Sequence, residues 1–334
     1  MANPQKQYYL FHNEIKLGRY DEESFLREKR DLLVSTLKQN LLKDSEGPQL
    51  VDWFNQGSYA LGTGIKPTDG DYDIDVGVQL SCNISSCPVK IKQIVKDALQ
   101  HTNSTVEIKR PCVTITYKKN GSKDYHVDLP IYALDNGALY LASGKEHSKQ
   151  ENKLWTLSNP TELIDTIKNK FEGEERKQFR RCVRYLKKWR NEDDNLQFFK
   201  SIAITSAVYE YLDTSDTEND NLALISVLEN LTYQFINYAI DPSTASHYMR
   251  LVIYLPAHDG VDLLTKVTAN QMKYLQNALE KLKKVLLEVQ EEYDVKEACT
   301  KLNRVFGDKF PIPEITETSV EVIEAPYVTV GTSA

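Results

Sequence analysis

The spacing of apolar residues changes along the chain, and each change predicts a different kind of element. From Glu22 to Leu42, Phe25, Leu26, Leu32, Leu33, Leu37 and Leu41 recur at helical intervals, which predicts a long N-terminal helix. The residues before it, 1 to about 20, are polar and rich in tyrosine. From 50 to about 145 the pattern shortens to strand-like alternation, as in Val113-Thr114-Ile115-Thr116-Tyr117, with one helical stretch at Val89 to Gln100. Beyond Pro160 the period is helical again: Glu162 to Phe171, Glu174 to Arg190, Ser201 to Leu212, Leu222 to Tyr238, Asn270 to Tyr293 and Val295 to Phe306. The chain is therefore expected to be α+β, a mixed sheet backed by helices over residues 1–158 and a helical domain over 159–311. After Pro311-Ile312-Pro313 it turns acidic and β-branched without a core-forming pattern, so 312–334 is expected to be a flexible tail.

Within the strand-like part, acidic residues interrupt two apolar runs at a telling interval. In Gly70-Asp71-Tyr72-Asp73-Ile74-Asp75-Val76, side-chain alternation puts Asp73 and Asp75 on one face and Ile74 and Val76 on the other. Asp128, between Val127 and Leu129, repeats the arrangement. On neighbouring strands the three carboxylates would converge and repel one another unless neutralised. Two Mg²⁺ ions about 3.5–4 Å apart would do so, and would form a phosphoryl-transfer site of the two-metal kind, with Mn²⁺ able to substitute. Asp69 and Asp71 precede the strand and are expected in its turn. His126 shares the face of Asp128, either near the metal site or packed beside the sheet.

Upstream, Gln56-Gly57-Ser58-Tyr59 follows a strand pattern and opens a short helix. A Gly-Ser pair there frees backbone N–H groups and a hydroxyl to face an anion, and the helix dipole favours negative charge. No Gly-Lys-Ser or Gly-Lys-Thr follows, so this is not the phosphate loop of the ATPases. Ser58 can also serve as a helix cap.

Gly57-Ser58, then Asp73-x-Asp75, then a third aspartate on a later strand resembles the polymerase-β-like nucleotidyltransferases. Gln56-Gly57-Ser58, Asp73-Ile74-Asp75, His126-Val127-Asp128-Leu129-Pro130-Ile131-Tyr132-Ala133 and Arg184-Tyr185-Leu186-Lys187-Lys188-Trp189-Arg190 narrow the resemblance to the bacterial cGAS/DncV-like nucleotidyltransferases. It runs from about Gln56 to the Phe306–Pro311 segment. It implies a polymerase-β-like core followed by a helical domain, and a synthase that joins purine NTPs into a cyclic di- or trinucleotide second messenger in anti-phage defence. ATP would be a substrate, with GTP or another NTP beside it. By the same resemblance Asp73, Asp75 and Asp128 are catalytic metal ligands, and Asp128 assists deprotonation of the attacking hydroxyl. Gln56, Gly57, Ser58 and Tyr59 border the nucleotide, and Lys187 and Ser201 contact its triphosphate. Of the two aspartates Asp259 and Asp262, Asp262 is the better match to a base-reading position, in a loop that departs from the family's commoner wording. A ubiquitin-ligase-like enzyme acting on the C-terminal tail and an effector that reads the cyclic product are implied partners.

Composition adds limits. The net charge of −7 argues against an extensive nucleic-acid surface. One local exception is Glu174 to Arg190, where Arg180, Arg184 and Lys187 stand at i, i+4 and i+7, the usual pattern of a solvated basic face. The five cysteines are odd in number and scattered, and read as free thiols. No apolar run approaches the roughly 20 residues that span a bilayer. Met1 to Lys6 has no signal-peptide pattern, so a cytoplasmic protein is expected. Two other functions fit the same motifs less well: template-independent nucleotide transfer to RNA or protein, which calls for a basic channel, and a catalytically inactive nucleotide-binding regulator, which has no need of three converging carboxylates.

Overall fold

The computed structural model describes residues 2–17, 21–67, 72–100, 104–119, 122–241, 244–257 and 260–314, with backbone alone at 21–25, 72, 118–119, 122–124 and 237. Asp69, Asp71, Asp259 and the tail beyond Glu314 lie outside the described residues.

The chain opens with helices α1 (Gln5–Ile15) and α2 (Asp21–Leu41), then strand β1 (Leu50–Asn55), the short helix α3 (Gly57–Leu61), β2 (Tyr72–Leu80) and α4 (Pro88–Leu99). Strands β3 (Ser104–Ile108), β4 (Val113–Lys119), β5 (Ser122–Leu129), β6 (Ile131–Asp135), β7 (Ala138–Ser143) and β8 (Leu154–Leu157) complete a sheet ordered β3-β4-β5-β2-β6-β7-β8, with β1 antiparallel to β2. Asp75 pairs with Asp128 and Val78 with Ile131, at one constant offset, so β5 and β6 act as one strand parallel to β2 and broken at Pro130. Proline has no N–H to give the ladder, but its carbonyl still accepts from Val78 N at 2.9 Å. Ile74, Val76, Val78, Ile115 and Val127 are at most 1 % exposed and form one core with Leu33 and Leu37 of α2 and Val95 and Leu99 of α4.

The second half is helical: α5 (Pro160–Lys170), α6 (Gly173–Asn191), α7 (Ser201–Tyr211), α8 (Asp220–Tyr233), α9 (Ala269–Glu291) and α10 (Val295–Phe306). The helix expected to run to Tyr238 stops at Tyr233. The run Tyr238-Ala239-Ile240 then lies in β9 (Asn237–Ile240), paired antiparallel with β10 (His247–Arg250). Aromatic and β-branched residues ahead of Pro242 favour extended backbone over another helical turn. The polar N-terminus, for which no element was expected, folds as α1, because Tyr8, Phe11 and Ile15 stack on one side and are buried. These three join the helical core with Tyr185, Phe306 and Phe310, whereas α2 packs on the sheet. Among the described residues all five cysteines are free, and no helix is long and apolar enough to cross a membrane.

Candidate active site

Parallel pairing of β2 with β5 places Asp75 beside Asp128 and Asp73 beside His126. Ligating atoms of Asp73, His126 and Asp128 lie within 4.8 Å of one another, and His126 Nε2 is 3.2 Å from Asp73 Oδ1. His126 thus belongs to the acidic cluster, the first of its two expected settings. Asp128 is held from β4, where Thr114 Oγ1 donates to its Oδ1, and Lys109 Nζ lies 3.9 Å from the same oxygen. Burial, with Asp73 and Asp128 adding their negative charge, pushes the Asp75 carboxyl up to about 7, against the pull of His126 and Lys187.

The second component sits against the first. Gly57 opens α3 with φ +60, and a Cβ there would lie 2.1 Å from Asp75 Oδ2. Only glycine allows the carboxylate this close to the backbone while adopting the left-handed conformation. Gly57, Ser58, Asp73 and Asp75 line one side of a cleft of about 450 Å³, and Lys187 and Ser201, from α6 and α7, line the other. Lys187 is 4 % exposed, and burial, with Arg184 and Arg190 nearby, lowers its ammonium to about 7 while Asp75 raises it. Its Nζ donates to Thr63 O at 3.1 Å and lies 3.4 Å from Thr63 Oγ1.

Four of the expected residues are not on the cleft wall: Asp128, which stands behind it in the acidic cluster, Gln56, Tyr59 and Asp262. Gln56 lies just before α3; its N–H donates to Asp75 O at 2.9 Å and its side-chain oxygen accepts from Tyr132 OH at 3.0 Å, so it braces Asp75 from behind. Tyr59 faces Arg30, whose guanidinium carbon is 6.0 Å from the ring centroid. Asp262 is taken by Arg250 at 2.5 Å and by Leu264 N at 2.9 Å, and does not border the cleft. Four lining residues with polar side chains were not anticipated: Thr63, Arg190, Asn191 and Thr205. Arg190 Nη1 donates to Phe199 O at 2.9 Å, and its Nη2 lies 3.3 Å from Ser201 Oγ. Helical spacing carried a signal for two of them, since Arg190 is three residues beyond Lys187 and Thr205 four beyond Ser201.

Of the basic face noted on α6, Lys187 is buried, and Arg180 and Arg184 are half-buried with their guanidiniums on the carbonyls of Leu61, Gly62 and Gly64; neighbouring cations of the helix are buried too. Arg181, Lys187, Lys188 and Arg190 are each less than a tenth exposed, and Arg181 pairs bidentately with buried Asp220, Nε at 2.7 Å and Nη2 at 2.8 Å.

The donor set of the acidic cluster fits a divalent cation. Carboxylate oxygens of Asp73 and Asp128 and the His126 imidazole converge, with the Asp75 carboxylate alongside, and a donor set dominated by oxygen suits a hard ion such as Mg²⁺ or Mn²⁺. The upward push on Asp75 comes first from burial and then from the negative charge of Asp73 and Asp128, and a bound cation would offset both. A phosphate chain running from the cluster toward Ser58, Lys187 and Ser201 would meet a helix N-terminus, two hydroxyls and an ammonium.

Residues 51–132 match the family described as cyclic GMP-AMP synthase DncV-like, nucleotidyltransferase domain. Among solved structures, the apo form of Vibrio cholerae DncV is similar with a TM-score of 0.70 at 18 % identity, covering 92 % of this chain and 96 % of that one. The 3′-deoxy-GTP-bound form of DncV gives 0.71 at 19 % identity over 92 % and 96 %. The structure of E. coli MS115-1 CdnC with ATP gives 0.69 at 20 % identity over 92 % and 98 %. Residues 51–132 are thus a DncV-like nucleotidyltransferase domain, within a chain that shares the α+β fold of DncV and CdnC along most of its length.

Proposed function

We propose that this protein is a Mg²⁺-dependent nucleotidyltransferase that joins purine nucleoside triphosphates into a cyclic oligonucleotide with release of pyrophosphate. The observation that carries the reading is the meeting in one cleft of Asp73 and Asp75 from the sheet, Gly57-Ser58 from α3, and Lys187 and Ser201 from the helical half. Ser58, Lys187 and Ser201 hold the triphosphate, and Asp73, Asp75 and Asp128 hold the divalent cations. When bound there, such ions would supply the charge neutralisation that phosphoryl transfer requires. A ribose hydroxyl oxygen bonds to the α-phosphorus of a second nucleotide, its proton passes to Asp128, and the bond to pyrophosphate breaks. Repeating the step within the linear product closes the ring. DncV has been solved with a linear intermediate, 5′ pppA(3′,5′)pG, the kind of species expected between two such steps. The product would serve as a second messenger in anti-phage defence, read by an effector.

The test is incubation of the purified chain with the four NTPs and Mg²⁺ or Mn²⁺, then phosphatase treatment and mass spectrometry. A phosphatase-resistant cyclic species is expected, and Asp73→Ala with Asp75→Ala should abolish it while the melting temperature in the absence of Mg²⁺ is kept or raised. Turnover surviving in that double variant would overturn the assignment.

A further inference from the structure

The loop Leu61–Gly64, directly after α3, presents four successive carbonyls to one side of α6, and every one of them accepts from a cation. Arg180 Nε donates to Leu61 O at 3.0 Å, Arg184 Nη2 to Gly62 O at 2.6 Å, Lys187 Nζ to Thr63 O at 3.1 Å, and Arg184 Nε to Gly64 O at 3.0 Å. The loop's own amides close back on α3, Gly62 N to Tyr59 O and Thr63 N to Ser58 O. Gly62 has φ +64, and a Cβ there would stand 3.2 Å from Arg180 Nε, so the bare backbone lets the guanidinium in. Arg184 is the centre of this clamp, with its remaining nitrogen, Nη1, 2.9 Å from His12 Nε2 on α1.

We propose that Arg184 is a positioning residue for the triphosphate. It fixes the loop, and through Thr63 the helix that carries Ser58, at the separation from Lys187 that lets both groups hold one phosphate chain. The inference rests on the nucleotide reading above. Its physical basis is that Ser58 stands on a helix of five residues, too short to persist alone, while Lys187 stands on the other half of the molecule. Without the clamp, ordering the two toward one ligand would be charged against binding. The planar fork of arginine reaches Gly62 O and Gly64 O from two separate nitrogens held in one rigid plane and keeps a third for His12, a spread that the compact ammonium of lysine does not reproduce.

The experiment uses the full chain with Arg184→Ala, Arg184→Lys and Gly62→Ala, reading Mg²⁺-ATP affinity by calorimetry, KM and kcat, and amide hydrogen exchange at 61–66. For Arg184→Ala, Kd and KM for ATP should rise about tenfold, with kcat changed less than about threefold and exchange at the Thr63 amide accelerated. Arg184→Lys should recover only part of the affinity. A folded Arg184→Ala protein with wild-type Kd and KM, or one whose loop loosens without a rise in KM, would overturn the positioning role. Should Arg184→Ala not fold, Gly62→Ala keeps every cation and displaces the clamp alone; the same rise in KM is expected, and an unchanged KM overturns the role. Wild-type protein that binds no Mg²⁺-ATP would remove the nucleotide reading itself and the positioning role with it, an outcome distinct from equal binding by wild type and variant.

Discussion

Asp75 concentrates the electrostatic tension of the site. Its carboxyl is pushed up to about 7 by burial and by Asp73 and Asp128, from an ordinary value near 3.8. The folded state therefore binds this proton more tightly than the unfolded chain. That contribution to stability is complete below pH 4 and is lost as pH rises through 7. In EDTA the melting temperature should fall between pH 5 and pH 8. Mg²⁺ should restore it much more at pH 8 than at pH 5, because the ion binds the ionised form. Asp75→Asn should flatten both trends, and scanning calorimetry at two pH values with and without Mg²⁺ checks this. The three aspartates were legible in the sequence because strand alternation and a two-residue interval are local properties. The place of His126 was not, since its 3.2 Å contact with Asp73 depends on the register of two strands some fifty residues apart.

At the scale of elements, α6 is where sequence periodicity misled. Arginines and lysines on alternating turns predict a solvated stripe, yet the helix is surrounded by α1, α7, α8 and α10 and its cations are consumed by carbonyls and carboxylates. Periodicity reports which residues share a face and cannot report what covers it. Arg181 and Asp220 form the most buried of these pairs, with Tyr185 OH 3.0 Å from the same carboxylate and Gln5 Oε1 accepting from Asp220 N at 2.7 Å. Removing one partner strands the other charge inside the helical half. Asp220→Ala should cost about 3–5 kcal/mol of stability, measured by urea unfolding, whereas an exposed pair such as Lys177 with Glu174 should cost at most about 1 kcal/mol. The hairpin β9–β10 escaped for a different reason: Tyr238-Ala239-Ile240 is short enough to continue a helix, and pairing with His247–Arg250 decides otherwise.

For the molecule as a whole, the order of the chain and the order of its cores differ. α1 comes first in sequence but completes the helical core, where Phe11 stacks on Tyr185 at 5.5 Å and meets Phe306 and Phe310 at 5.4 and 5.0 Å. Its end also touches the loop system of the cleft: Lys66 N donates to Ile15 O at 2.8 Å, and His12 meets Arg184. The N-terminal helix is thereby a brace between the helical half and the segment that carries Ser58, a connection no local pattern could announce because its partners lie some fifty to three hundred residues away. Phe11 is fully buried, so Phe11→Ala should lower stability by about 3–5 kcal/mol through lost burial and the cavity left behind. The same change should weaken Mg²⁺-ATP binding at temperatures where the protein remains folded, because the cavity opens directly beneath the helix that steadies Arg184. Leu99→Ala provides the contrast, since Leu99 is as buried but belongs to the sheet core. It should destabilise by about 2–5 kcal/mol and leave ATP affinity unchanged. Calorimetric titration of both variants below their unfolding transitions separates the two outcomes, and equal ATP affinity in both would show that α1 supports the fold without reaching the cleft.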